Sequence, residues 1–212
     1  MCRYSVVIPT MNEERAIGWV IDRIPREIRD QGEVIVSDVS RDRTARLAEE
    51  RGARVIRPRR GGKGRQVRAG VEQARGEILV LMDGDGEHPP SYIPALVSRL
   101  EEGCDLVLGT RKRVNVLEKP LLGIAFLLYL PVIVLLFRMA GLRVRGTPLT
   151  GFRCMRAETW NRLNLQSQHF LLEAEMNVRM VELGLSYQEV HIPYAERWNG
   201  IISNLHPVEA NL

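Results

Sequence analysis

The chain has 212 residues, 45% hydrophobic and 26% charged, a composition that fits one folded domain, or at most two, with a substantial core. Its formal net charge of +4 favours anionic partners such as phosphates, a membrane surface or nucleic acid. Three scattered cysteines (Cys2, Cys104 and Cys154) are too few for a disulfide framework or a zinc site, which points to a reducing cytosolic setting.

Residues 4–9 read as a buried first strand. Thr10 or Asn12 is placed to cap the following helix, whose apolar face carries Ala16, Val20, Ile21 and Ile24. Because the N-terminus runs straight into this strand, no signal peptide is expected. A second strand is predicted over 33–37 and a helix over 43–51, stopped by Gly52. A short strand over 53–56 leads into the basic loop Arg57–Gly64 and a helix over 65–74. Further strands are expected over 78–82 and 105–108, separated by a helix over 91–102 that Pro89-Pro90 opens. Short apolar strands alternating with amphipathic helices predict a mostly parallel α/β sheet covered on both faces. Such sheets bind ligands beyond the carboxyl ends of their strands, where Asp38, Asp83, Asp85 and Arg111 should lie together.

From Leu121 to Phe137 the chain carries no charge, and basic residues flank the run on both sides. A bilayer span needs about 20 apolar residues. Pro131 interrupts the run, which disfavours a span. It reads first as a pair of short helices in the membrane interface, held by the basic flanks. A buried core helix is the other reading. Beyond it come Gly151-Phe152-Arg153, a helix over 171–183 and a strand over 187–192.

The chemistry concentrates at Met82-Asp83-Gly84-Asp85, where a strand ends in two carboxylates around one glycine, with Glu87 two residues later. Hard carboxylate oxygens suit Mg²⁺ or Mn²⁺, which protein sites hold through one or two carboxylates plus substrate phosphates. At the second strand's end, Asp38 is placed to accept hydrogen bonds from a nucleobase, and Ser40 or Asp42 to cap a helix. The Gly61-Gly62-Lys63-Gly64 loop is no Walker loop, but its lysine can meet a diphosphate. His88 is better placed to orient the acidic loop than to act as a base. The first strand lacks the glycine-rich turn of dinucleotide enzymes and nucleotidyltransferases. Only 6% of residues are aromatic and no nucleic-acid module is evident, so nucleic acid is not an expected partner.

Taken together, Ile-Pro-Thr-Met-Asn-Glu (8–13), Asp38-x-Ser40-x-Asp42-x-Thr44, Gly-Lys-Gly (62–64) and Met-Asp-Gly-Asp-Gly-Glu-His-Pro-Pro (82–90) resemble family 2 glycosyltransferases of the GT-A fold. The nearest likeness is to polyprenol-phosphate glycosyltransferases of the dolichol-phosphate mannose synthase type. Gly109-Thr110-Arg111, Pro148–Arg153, Glu175 and Glu196-Arg197-x-x-Gly200 agree with it, and Ser37, Val39 and Thr147 depart from it. The resemblance implies a single GT-A domain over 1–212, with a nucleotide-sugar and metal-binding half over 1–112. An acceptor half would follow over 113–212, with interfacial helices about 117–140. It implies inverting transfer of a hexose, with mannose from GDP-mannose the first candidate, to a polyprenyl (dolichyl) phosphate at the cytoplasmic side of the membrane. Asp83, Asp85 and Glu87 would hold Mg²⁺ or Mn²⁺. Pro9, Thr10, Glu13, Asp38, Lys63 and Glu175 would bind substrate, and Arg111 and Arg197 would hold the acceptor phosphate. Alternatives are a family 2 enzyme using UDP-glucose or a soluble acceptor, and an inactive nucleotide-binding scaffold.

Overall fold

The computed structural model describes residues 2–111 and 148–193, together with Leu135 and Gly141. The segment 117–140 (Leu135 aside), Thr147 and Arg197 therefore lie outside the described residues, and so does the expected interfacial helical insertion.

Among the described residues seven strands form one sheet in the order β3-β2-β1-β4-β6-β5-β7. They are β1 (Tyr4–Thr10), β2 (Gly32–Asp38), β3 (Arg54–Ile56), β4 (Ile78–Leu81), β5 (Leu106–Arg111), β6 (Arg153–Arg156) and β7 (Tyr187–Ile192). The helices are α1 (Ile17–Asp22), α2 (Arg26–Asp30), α3 (Thr44–Glu49), α4 (Lys63–Glu72), α5 (Ile93–Glu101), α6 (Ala157–Leu163) and α7 (Leu172–Glu182). β1 runs parallel to β2 and β4, with Thr10 opposite Asp38 and Val7 opposite Leu81. The expectation of a mostly parallel sheet with helices on both faces holds, with β6 antiparallel to both neighbours, β4 and β5.

Side chains alternate across the strands, so β1, β4, β5 and β6 each feed two cores. Val6 and Ile8 of β1 join Ile17, Val20 and Ile21 of α1 and Ile93, Leu96 and Leu100 of α5 on one face. Val7, Leu79, Leu81, Leu106 and Leu108 join Val67 of α4, Leu163 of α6 and Met176 and Met180 of α7 on the other.

Several elements differ from the sequence expectation, helix α2 (Arg26–Asp30) among them, which was not foreseen. Strand β6 and helix α6 were not foreseen, because Arg153-Cys154-Met155-Arg156 is short and bounded by charges. Arg153 is nevertheless 0% exposed. Gly109-Thr110-Arg111 lies within β5 rather than after it, since these residues pair with Val190, His191 and Ile192 of β7. Neither Thr10 nor Asn12 caps α1: its N-cap, Ala16, has no side-chain bond, and Asn12 takes a left-handed turn at φ 59°. No helix among the described residues is long and apolar enough to cross a membrane.

Candidate active site

Asp38 is the last residue of β2 and Arg111 the last of β5, and the acidic loop Asp83–Glu87 follows β4. The carboxyl edge of the sheet thus gathers the charged residues that the sequence placed there. The loops after β1 and β2 are stitched together. Thr10 Oγ1 and Ser40 Oγ both donate to Asp38 Oδ1, at 2.7 and 2.5 Å. Asn12 N donates to Ser40 Oγ at 2.7 Å, and Glu13 N to Thr44 Oγ1 at 2.9 Å. Asp42 Oδ1 accepts the Thr44 amide at the start of α3, so Asp42 takes the capping role and Ser40 does not. The buried amide of Gln66 donates to the carbonyls of Thr10 and Ser37, tying α4 to the ends of β1 and β2.

The glycine loop packs against the backbone of residues 167–169. Gly64 N and Arg65 N donate to the carbonyls of His169 and Gln168. A Cβ at Gly64 would lie 2.2 Å from Ser167 O, and one at Gly62, where φ is +123°, 2.4 Å from Gln168 O. These glycines let the 167–169 backbone close over the start of α4, an approach no side chain permits. That backbone is held from the other side by Glu175, whose carboxylate accepts the amides of Gln166 and Ser167, each at 2.8 Å. Burial opposes charge on Glu175, but these bonds lower its pKa. In this structure Glu175 is thus engaged in bracing a loop.

Glu173, two residues earlier, reaches the site instead. Its Oε1 lies 2.6 Å from Lys63 Nζ, and Lys63 Nζ lies 2.7 Å from Asp83 Oδ1. Burial alone would lower the pKa of Lys63, yet the two carboxylates raise it above the ordinary lysine value. Burial likewise opposes ionisation of Asp83, and Lys63 is the leading influence that carries it down to about 2. Both groups of the ion pair are therefore charged at neutral pH. A sequence signal for Glu173 did exist: Leu172, Met176 and Met180 mark the buried face of α7, and Glu173 and Asn177 are polar residues buried beside them. Buried carboxylates without a partner are rare enough to invite a search for one.

Asp85 is held differently. Its Oδ1 accepts the Glu87 amide at 3.0 Å. Burial first, then the neighbouring charges of Asp83 and Glu87, raise its pKa. Arg111 grips Glu87, with Nη1 2.9 Å from Oε2 and Nη2 3.3 Å from the backbone carbonyl. Gly84 is required between the two aspartates because a Cβ there would lie 2.7 Å from Thr10 Cγ2. His88 is buried, stacks on Phe152 at 5.4 Å, and accepts the Asp83 amide through Nδ1. Burial lowers its pKa. With Nδ1 accepting that amide, His88 is placed to orient the acidic loop.

Among the described residues no three acidic or histidine side chains converge as a ready metal cage. Asp83, Asp85 and Glu87 were expected as a trio, but Lys63 and Arg111 engage the outer two. The donor set still suits Mg²⁺ or Mn²⁺. Asp85 sits amid excess negative charge that raises its pKa, and a divalent cation relieves that repulsion. Asp85 would hold the ion, with Asp83 beside it.

Pro9, Lys63, Asp83, Gly151, Arg153 and Glu173 line a cleft. Gly151 covers the ion pair so closely that a Cβ would lie 2.8 Å from Asp83 Oδ2 and 2.9 Å from Lys63 Nζ. Arg153 donates through Nε to Thr150 O and through Nη2 to Pro148 O and Glu173 O, while its buried Nη1 has no partner. Burial brings its pKa down to about 10. Sequence reasoning assigned no role to Arg153.

Known proteins resemble the chain in the same way. It is 34% identical over 197 residues, 91% of this chain and 83% of the other, to a dolichyl-phosphate hexose transferase of Haloferax volcanii. It is 33% identical to a dolichol-phosphate mannosyltransferase of Pyrococcus furiosus, over 51% of this chain and 33% of that protein. Among solved structures, glucosyl-3-phosphoglycerate synthase of Mycobacterium tuberculosis, in complex with Mn²⁺, uridine diphosphate and glucosyl-3-phosphoglycerate, superimposes with a TM-score of 0.75. That match is 28% identical and covers 93% of this chain and 72% of the synthase. The same synthase has been solved with Mg²⁺ and uridine diphosphate. The fold is therefore GT-A. The model of glycosyl transferase family 2 matches residues 5–125, the stretch that contains the acidic loop and Arg111, and the chain belongs to that family of glycosyltransferases.

Proposed function

We propose that this glycosyltransferase moves a hexose from a nucleotide-diphosphate sugar to a polyprenyl phosphate, with mannose from GDP-mannose the first candidate. One observation carries the choice of acceptor: among the described residues, Lys63, Arg111 and Nδ1 of His88 are all engaged, and none of them is poised as a general base. Lys63 engages Asp83 and Glu173, Arg111 engages Glu87, and Nδ1 of His88 accepts an amide. A sugar hydroxyl must surrender a proton as it attacks, whereas a phosphate is already an anion at neutral pH. The extended similarity to the dolichyl-phosphate hexose transferase supports the same acceptor.

In this reading an acceptor phosphate oxygen attacks the anomeric carbon and forms the new C–O bond. The bond to the diphosphate breaks, the nucleoside diphosphate leaves with the electron pair, and the sugar carbon is inverted. Arg111, a planar fork at the end of β5, meets the acceptor phosphate. Arg197 is proposed as its companion. Thr10, Glu13 and Asp38 form the floor on which the nucleoside rests, and Pro9 borders the cleft. A divalent ion at Asp85, when bound, offsets charge that develops on the leaving diphosphate. The uncharged stretch 121–137, with its basic flanks, is the proposed contact with the cytoplasmic membrane surface.

A second reading, glucose from UDP-glucose to a soluble acceptor, has support in the likeness to the glucosyl-3-phosphoglycerate synthase. A thermal-shift panel of GDP- and UDP-sugars with Mn²⁺ separates the donors, since only a ligand that binds the folded state raises Tm. Transfer of labelled sugar to a short polyprenyl phosphate, set against 3-phosphoglycerate, separates the acceptors. Transfer to the soluble acceptor alone would reject the lipid reading. For the membrane contact, replacing 117–140 with a short polar linker should abolish flotation with anionic liposomes. Unchanged flotation would reject that role.

A further inference from the structure

We propose that Glu173 is a positioning residue that retains Lys63 when a divalent cation takes Asp83. The proposal rests on the metal-dependent reading of the site. It starts from one ammonium shared by two carboxylates: Lys63 Nζ is 2.7 Å from Asp83 and 2.6 Å from Glu173. Lys63 begins α4 and Glu173 lies in the first turn of α7, so this contact joins two helices to the loop that carries Asp83 and Asp85.

Exposure along the triad is graded. The Glu173 side chain is 9% exposed, Lys63 16% and Asp83 25%. A cation arriving from solvent therefore reaches Asp83 first and competes there with Lys63. A buried ammonium that lost its sole counter-ion would carry a large desolvation penalty. Glu173 removes that obstacle, because Lys63 keeps one carboxylate throughout. The exchange is short in distance and conserves pairing: Asp83 passes from ammonium to metal, and Lys63 stays with Glu173 beside the cleft.

The backbone around Glu173 is built to keep it in place. Its carbonyl accepts from the fully buried Arg153 at 3.2 Å, and Glu175 anchors the 166–167 amides on the adjoining loop. Gly151 lies close over the pair, where a Cβ would fall 2.8 Å from Asp83 Oδ2 and 2.9 Å from Lys63 Nζ. Lys63 therefore has little freedom to find another partner if Glu173 loses its charge. Without that charge it would bind Asp83 alone and oppose the metal.

Free Mn²⁺, followed by its EPR signal with and without the nucleoside diphosphate that stabilises the protein, provides a readout independent of turnover. Glu173→Gln keeps the size of the side chain and removes its charge. It should weaken Mn²⁺ binding by about tenfold, the scale for losing one unit charge near a partly buried site. Glu173→Asp should restore part of the affinity. In a Lys63→Met background the effect of Glu173→Gln should shrink to less than about twofold, because the two residues act as one unit. Circular dichroism and Tm report whether each variant is folded. If Glu173→Gln folds and binds Mn²⁺ like the wild type, the proposal is overturned. An undiminished effect in the Lys63→Met background would also overturn it, since Glu173 would then act on the ion directly. Failure of the wild-type protein to bind Mn²⁺ under either condition would reject the metal reading itself, and the proposal with it.

Discussion

Asp85→Ala should lower kcat/KM for sugar transfer by about a thousandfold, the scale seen when a group that stabilises developing charge is removed. Circular dichroism should be unchanged. Asp85 lies in a loop, and burial first, then the charges of Asp83 and Glu87, make its own ionisation unfavourable. Its removal relieves repulsion in the free protein while taking away the carboxylate best placed to hold a divalent ion. The variant should therefore be as stable as the wild type or slightly more so, and should lose the Tm increment that Mn²⁺ and donor give together. Retained transfer that EDTA leaves untouched would move the chemistry to another site. Asp83→Ala is a poorer test, because it also strips Lys63 of a counter-ion.

Arg153→Ala should destabilise the protein by about 3–5 kcal/mol, with Tm lower by roughly 10 °C for a chain of this size. The guanidinium is wholly buried and ties three backbone carbonyls, those of Pro148, Thr150 and Glu173, to strand β6. Two effects oppose each other here. Removing a buried cation relieves desolvation, which already brings its pKa down to about 10 and leaves Nη1 without a partner. Removing its bulk leaves a cavity and frees the loop that carries Gly151 over the Lys63–Asp83 pair. Volume and tethering should win, so Arg153→Met, which refills the space, should recover about half the loss. Donor affinity should fall along with stability in the alanine variant. If Arg153→Ala melts like the wild type in calorimetry, the tethering role is wrong.

Both residues bear on how much of the molecule was legible beforehand. Asp85 stood out because a carboxylate pair at a strand end is a local pattern, and the strand before it, Ile78–Leu81, is continuous and apolar. Arg111 and Asp38 were legible for the same reason. Arg153 was hidden because a charged residue argues for the surface until its neighbours are known. Lys63 was read as a phosphate contact, and its ion pair with Glu173 joins residues more than a hundred positions apart. Glu175 was singled out by resemblance, yet a helix turns about 100° per residue, and two positions separate the carboxylate that braces a loop from the one that meets Lys63.

The sequence by itself determined the alternation of strands and helices, and the place of the acidic loop, Asp38 and Arg111 at the carboxyl edge of the sheet. These follow from periodicity and from side-chain type, which act over a few residues. Only the tertiary structure decided which charges pair. It set β6 antiparallel between β4 and β5, brought α7 against the start of α4, and put Glu173 rather than Glu175 beside Lys63. The physical reason is that a buried charge is stable only with a partner, and the partner's distance along the chain leaves no trace in local pattern.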